Sequence, residues 1–201
     1  MLDRAATALI RPAVNALAGQ LVRTGMGANQ MTLAGFAIGM LAAFCVASGH
    51  TGVAIGAILL SRLCDGLDGA MARLTHATDA GGFLDITLDF LFYASIPLAF
   101  AVAQPERNAL AAAALLAAFA GTMSSFLGFA VIAAKRGLAN LDYPDKSIYF
   151  LGGLTEATET LAVFIAMCLW PQHFALIAYT FALLCSITTL MRLWWGWRSF
   201  Q

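Results

Sequence analysis

Charge is what this chain has least of. Asp, Glu, Lys and Arg make up 11% of its 201 residues, and 61% of the residues are hydrophobic. An ordinary soluble domain carries roughly 25% charged residues. With a mean hydropathy of +0.80, the deficit points to an integral membrane protein, read here as one domain over residues 1–201. Eleven basic residues balance eleven acidic ones, so no basic field exists to attract nucleic acid. Cysteine is scarce too. Cys45, Cys64, Cys168 and Cys185 stand singly in apolar runs with no Cys-x-x-Cys, which marks them as small buried hydrophobes. No charged start, apolar core and small-residue cleavage site mark a leader. Repeats, low-complexity tracts and linkers are also missing.

What is present is a series of apolar runs near the ~20 residues needed to cross a bilayer. The pattern predicts an all-α polytopic protein with six spans at about 31–49, 52–74, 79–103, 108–134, 148–170 and 173–196. Residues 1–30 carry Arg4, Arg11 and Arg23 between apolar residues at helical spacing, which predicts an amphipathic helix on the membrane surface. The second span is apolar only through Cys64, so hydropathy alone underrates it. Arg4, Arg11, Arg23, Arg73, Lys135, Arg136, Lys146, Arg192 and Arg198 fall on one side of this arrangement; Arg107 falls opposite and Arg62 within the second span. The positive-inside rule then puts both termini, and the longest loop at about 135–147, in the cytoplasm.

The rare charges are not scattered. Asp65 and Asp68 sit in Asp65-Gly66-Leu67-Asp68-Gly69-Ala70-Met71-Ala72-Arg73, and Asp85 and Asp89 in Gly81-Gly82-Phe83-Leu84-Asp85-Ile86-Thr87-Leu88-Asp89. Acids inside a membrane are costly and mark a functional site by default. A short turn near Ala77 joins the second and third spans. Asp65 and Asp89 lie equally far from it, and Asp68 and Asp85 nearly so. Antiparallel helices therefore bring each pair to a similar depth, roughly 15–18 Å from the turn for the outer pair. Asp65 and Asp68 share a face at i, i+3; Gly81, Asp85 and Asp89 step by four along another. Four carboxylates facing one cavity make a hard-oxygen site suited to Mg²⁺, Mn²⁺ or Ca²⁺. Gly69, Ala72 and Gly81 share those faces. They leave room for a ligand against the backbone, or simply let membrane helices approach closely. Arg73, near the cytoplasmic edge, suits a phosphate, or serves as an anchor of the positive-inside kind. Asp79 with Thr78 reads as a helix N-cap.

These residues resemble the CDP-alcohol phosphotransferase (CDP-alcohol phosphatidyltransferase) family, whose pattern is D-x-x-D-G-x-x-A-R followed by G-x-x-x-D-x-x-x-D. Here it reads Asp65, Asp68, Gly69, Ala72, Arg73, then Gly81, Asp85, Asp89. The stretch between Arg73 and Gly81 is seven residues, one shorter than usual, a difference confined to the turn. Ala28-Asn29-Gln30-Met31-Thr32-Leu33 also resembles the family's lead-in to its first span.

The resemblance implies transfer of the phosphoalcohol part of a CDP-alcohol, such as CDP-diacylglycerol, to a second alcohol with release of CMP. It implies two divalent cations, Mg²⁺ or Mn²⁺, on Asp65, Asp68, Asp85 and Asp89, with Asp89 as general base. Gly69, Ala72 and Gly81 would border the nucleotide, Arg73 would touch phosphate, and the enzyme would be a homodimer. The acceptor stays open between glycerol 3-phosphate, serine, inositol phosphate and another headgroup alcohol.

Glu156 and Glu159 begin the fifth span, where they either meet the acceptor or pair with Arg192 or Lys146. Lys135, Arg136 and Lys146 either form an anion pocket for a phosphorylated acceptor or make a solvated basic loop near anionic lipid. Arg62, one turn before Asp65, is expected to pair with an acid. His50, His76 and His173 have no metal-ligand spacing. Trp170, Trp194, Trp195 and Trp197 fit interfacial belts. Short loops suggest a bacterial inner membrane, with the active site on the cytoplasmic side. From another class, a divalent cation transporter would use the aspartates as a midplane ion site, but the acids lie in one hairpin and no inverted repeat is visible.

Overall fold

Long apolar runs leave the backbone one economical solution in lipid, the α-helix, which satisfies its own polar groups. The computed structural model describes residues 2–137 and 155–201, with side chains from Arg11 onward. Lys146, Gly152, Gly153, most of the expected 135–147 loop and the start of the expected fifth span lie outside the described residues, as does the Arg4 side chain. The described chain is all-helical: α1 Leu2–Arg23, α2 Ala28–Ala47, α3 Thr51–Leu74, α4 Asp79–Ala103, α5 Pro105–Lys135, α6 Ala157–Leu169 and, after a short 3₁₀ turn, α7 Phe174–Phe200. Gly25 and Gly49, at φ +85° and +80°, turn the chain after α1 and α2. At the α4–α5 corner, buried Asn108 donates from Nδ2 to the Phe100 carbonyl at 3.0 Å, satisfying a helix-end acceptor.

Four helical segments are long and apolar enough to cross a membrane: Ala28–Ala47, Asp79–Ala103, Pro105–Lys135 and Pro171–Phe200. Helix α3, at 24 residues, has the length, but Arg62, Asp65, Asp68 and Arg73 interrupt its apolar character. Helix α6 has 13 residues, about 20 Å at 1.5 Å per residue, short of the ~30 Å hydrocarbon core. The expected span at 148–170 is thus helical over 157–169 where described, while that at 108–134 extends to 105–135.

Two cores hold the helices. Phe92 and Tyr93 of α4, Phe119 of α5, Phe164 of α6 and Phe181 of α7 interlock edge to face or tilted, and Phe100 stacks on Phe174 with centroids 4.5 Å apart. The smaller core joins Ala18 of α1 and Met31 of α2 to Cys64, Leu67, Ala70 and Met71 of α3. One apolar face of α1, including Val14, Leu21 and Val22, therefore packs on the back of the helix carrying Asp65 and Asp68. The exterior is apolar: Leu41, Phe44, Val53, Leu110, Leu176 and Leu183 are more than half exposed, a surface suited to lipid.

Helix α2 is the spacer. It packs against both α3 and α4, whose backbones stay apart and meet through side chains. Its small residues permit this: a Cβ on Gly35 would lie 2.8 Å from Cys64 Cβ, and one on Gly39 would lie 2.6 Å from Phe92 Cδ2. The gap so created between α3 and α4 is where the acids point.

Candidate active site

Thr78 caps α4, its hydroxyl accepting the Gly81 N–H at 3.0 Å, while Asp79 is the acid of the first turn rather than the cap. The cap fixes where α4 begins and so the phase of Asp85 and Asp89 against α3. All four aspartates line one central void of about 10 Å³, with Arg62 and Ser61 of α3 and Thr32 of α2. Asp68 is buried, 5% exposed, and its Oδ2 has no hydrogen-bond partner among the described residues. A buried carboxylate oxygen without a partner is expensive, and a divalent cation is the simplest group to satisfy it. The donor set fits such an ion.

The outer acids are engaged differently. Arg62 Nη1 donates to Asp89 Oδ1 and lies 3.4 Å from Asp65 Oδ1. As placed, no three acidic, His or Cys side chains among the described residues are grouped to hold one ion; a guanidinium nitrogen already bridges Asp65 and Asp89. Sequence spacing anticipated an acid partner for Arg62 but not which one.

Two further cavities open from the acids. The smaller, about 150 Å³, is lined by Gly69, Ala72 and Asp68 of α3, Gly81 and Asp85 of α4, and Asn29 of α2, and is closed by the His76–Thr78 turn. Its walls are backbone and short side chains. Gly82 also borders it, yet a Cβ there would meet nothing within 4 Å, whereas one on Gly81 would fall 2.8 Å from Asn29 Oδ1 and 3.1 Å from Thr78 Oγ1. Of these two neighbours, Gly81 is thus the one that lets the first turn of α4 approach Asn29 of α2. Arg73 is exposed and reaches back over Gly69, where a Cβ would lie 3.4 Å from Nη1. It stands outside the lining of the smaller cavity.

The larger cavity, about 340 Å³, is bordered by Asp65, Asp85 and Asp89 and runs between α4, α5, α6 and α7. Phe90, Tyr93, Phe119 and Phe126 wall it, and Glu156 and Arg192 bring opposite charges to it. Arg192 is fixed by donating from Nη1 to the Thr122 carbonyl at 3.0 Å. Thr155 donates to Thr188 Oγ1 at 3.1 Å, tying the segment before α6 to α7.

The residues expected at an acceptor site separate. Glu156 borders the larger cavity. Glu159 turns back instead: its Oε2 accepts the Glu156 N–H at 3.1 Å in a capping box at the start of α6. The Glu-x-x-Glu spacing was the visible signal for that cap. Arg136 donates to the Phe200 carbonyl and stacks on the Phe200 ring; it and exposed Lys135 lie outside the cavities described here. Sequence reasoning missed Asn29, Thr32, Tyr93, Thr122 and Thr155 as lining residues. The signal available for most of them was a polar side chain inside an apolar run.

The family model for CDP-alcohol phosphatidyltransferase matches residues 26–194. Over 201 residues, all of this chain and 98% of the relative, the sequence is 52% identical to inner membrane protein YnjF of Escherichia coli (strain K12). The fold is similar to phosphatidylinositol phosphate synthase (PgsA1) of Mycobacterium tuberculosis in two crystal structures, one with CDP-DAG bound and one in complex with manganese and citrate. Both have TM-score 0.67, at 22% and 21% identity, covering 92% of this chain and 93% and 88% of those chains. At such identity the structural likeness carries the fold alone. The family match spans the aspartates of α3 and α4 and most of the chain: this protein belongs to the CDP-alcohol phosphatidyltransferase family and is a membrane transferase of phosphate-containing groups.

Proposed function

We propose that the enzyme moves the phosphatidyl group of CDP-diacylglycerol, or a related CDP-alcohol, to an acceptor alcohol and releases CMP. The observation that carries this reading is the placement of four aspartates around one void between two unlike cavities. The smaller, bounded by Gly69, Ala72 and Gly81, suits a nucleotide lying against backbone, with Arg73 at its rim for phosphate. The larger, between α4 and α7, suits the acceptor and borders Asp85 and Asp89, so the two substrates meet at the acids. The PgsA1 structures with CDP-DAG and with manganese support the donor and the metal class.

When bound, two divalent cations, Mg²⁺ or Mn²⁺, supply positive charge to the pyrophosphate and to the departing CMP. Asp65, Asp68, Asp85 and Asp89 would hold them. Asp89, on the acceptor side, takes the proton from the attacking hydroxyl, which is otherwise a weak nucleophile. Glu156 contacts the acceptor, whose first candidate is glycerol 3-phosphate, with serine, inositol phosphate and other headgroup alcohols as alternatives. Glu159 supports Glu156 through the cap, and Lys135 and Arg136 contribute at most surface charge. The chain acts as one domain of six spans, with α1 at the interface, in a bacterial inner membrane. Both termini and the active site are cytoplasmic, and the working unit is a homodimer.

The test is CMP release by purified protein in nanodiscs with CDP-diacylglycerol, Mg²⁺ or Mn²⁺, and single acceptors in turn. Metal-dependent release with one acceptor, lost in Asp89→Asn, is expected. No release with any acceptor, from protein that neither binds the donor nor a divalent cation, would overturn the reading.

A further inference from the structure

Arg62 has no part in the chemistry above, yet it is the most elaborately held side chain at the site. Nη1 spans the outer acids, donating to Asp89 and lying 3.4 Å from Asp65 Oδ1. The guanidinium lies over the Phe92 ring, 4.1 Å from its centroid, and 5.6 Å from that of Tyr93. Nη2 lies 3.4 Å from Ser61 Oγ, and Ser61 donates to the Gly35 carbonyl at 2.8 Å. Phe92 in turn rests against Gly39, where no Cβ fits. So α2, α3 and α4 together fix one cation against Asp89.

Asp68, an inner acid, is held differently. Asp68 Oδ2 is buried without a hydrogen bond among the described residues, and the void that all four acids border measures about 10 Å³. Such a space admits about one water-sized body. With Arg62 in place, the site has room and unsatisfied charge for one ion at its Asp68 side, while the Asp65–Asp89 side already holds one positive charge against its two carboxylates.

We propose that Arg62 is an internal counter-ion that competes with the second divalent cation, so that the two cations load unequally. The first binds at the Asp68 side with Arg62 undisturbed. The second binds only as the guanidinium withdraws from Asp89. Arg62 is a positioning residue: it stabilises the metal-free acids within the membrane and sets the order of loading. The proposal rests on the reading of the four aspartates as a cation site.

The test is a Mn²⁺ titration of the full-length chain in nanodiscs, without donor or acceptor, with free Mn²⁺ followed by electron paramagnetic resonance. Wild type is expected to bind one ion tightly and a second at least about tenfold more weakly, a difference of about 1.4 kcal/mol. Arg62→Gln should tighten the second ion by about tenfold, and Arg62→Lys should keep the two sites unequal. In chelator, Arg62→Gln should melt below wild type, and Mn²⁺ should raise its Tm by more. Two equal sites in wild type, or an unchanged second site in folded Arg62→Gln, would overturn the role of Arg62 while leaving the transferase reading intact. If Arg62→Gln does not fold, Phe92→Leu, which removes the ring beneath the guanidinium, replaces it and should tighten the second ion in the same direction; no tightening overturns the proposal. Folded wild type that binds no Mn²⁺ would instead sink the cation site on which both readings stand.

Discussion

The two cavities that meet at the aspartates are built of opposite materials. The smaller is made from glycine, alanine, a helix cap and a turn, mostly within one stretch from Asp68 to Asp85, with α2 closing it. The larger is made from aromatic rings of α4 and α5, Glu156 at the cap of α6 and Arg192 of α7. A wall of backbone and small side chains is rigid and selects by shape. A wall of side chains from several elements varies with each substitution. On the proposed reading, the CDP moiety, the invariant half of the reaction, belongs to the small cavity and the substrate choice to the large one.

The sharpest way to break this comparison is at the acids common to both sides. Asp89→Asn should lower CMP release by about 10²–10⁴-fold, the range of a lost general base, with CDP-diacylglycerol binding still measurable. Undiminished turnover would remove Asp89 from the chemistry. The next effect belongs to the small cavity. Ala72→Leu fills it, and overpacking of this kind costs about 1–3 kcal/mol, so the donor KM should rise about ten- to a hundredfold with the acceptor KM little changed. A rise in the acceptor KM alone would exchange the roles of the two cavities.

Glu156→Gln probes the large cavity and should show the reverse split. Loss of a charged hydrogen bond is worth about 1.5–3 kcal/mol, so the acceptor KM should rise at least about tenfold while the donor KM holds. The smallest effect is expected at Arg136→Ala. Surface substitutions cost about 0.5 kcal/mol or less, so both KM values should stay within about threefold. A large rise in the acceptor KM would bring the 135–136 corner back into the acceptor site.

The sequence was most legible where the relevant distance is short. Asp65 with Asp68, and Asp85 with Asp89, share helical faces whatever surrounds them, because helical phase is local. Over 148–170 the hydropathy run suggested a full span, and the part of it within the described residues is helical over 157–169. Residues 155 and 156 are spent on a cap before α6 begins. For α1 the arginines and apolar stripe read as a surface helix, and the structure adds that Val14, Ala18 and Leu21 face α3. Amphipathicity records that a face is covered, not whether lipid or protein covers it. Glu156 and Glu159 looked equivalent at i, i+3, but the capping box at the start of α6 leaves one at the cavity and turns the other onto the backbone.

By itself the sequence determined that this is a helical membrane protein with four carboxylates on two adjoining helical faces, because composition, helical period and turn position are local quantities. Tertiary structure decided the rest. Small residues at Gly35 and Gly39 let α2 hold α3 and α4 apart, opening the gap between the acids. Arg62 found Asp89, 27 residues away, as well as its near neighbour Asp65. Glu156 from the cap of α6 and Arg192 from α7 came to one cavity. Each of these depends on how distant segments share a limited volume, and no local pattern encodes that.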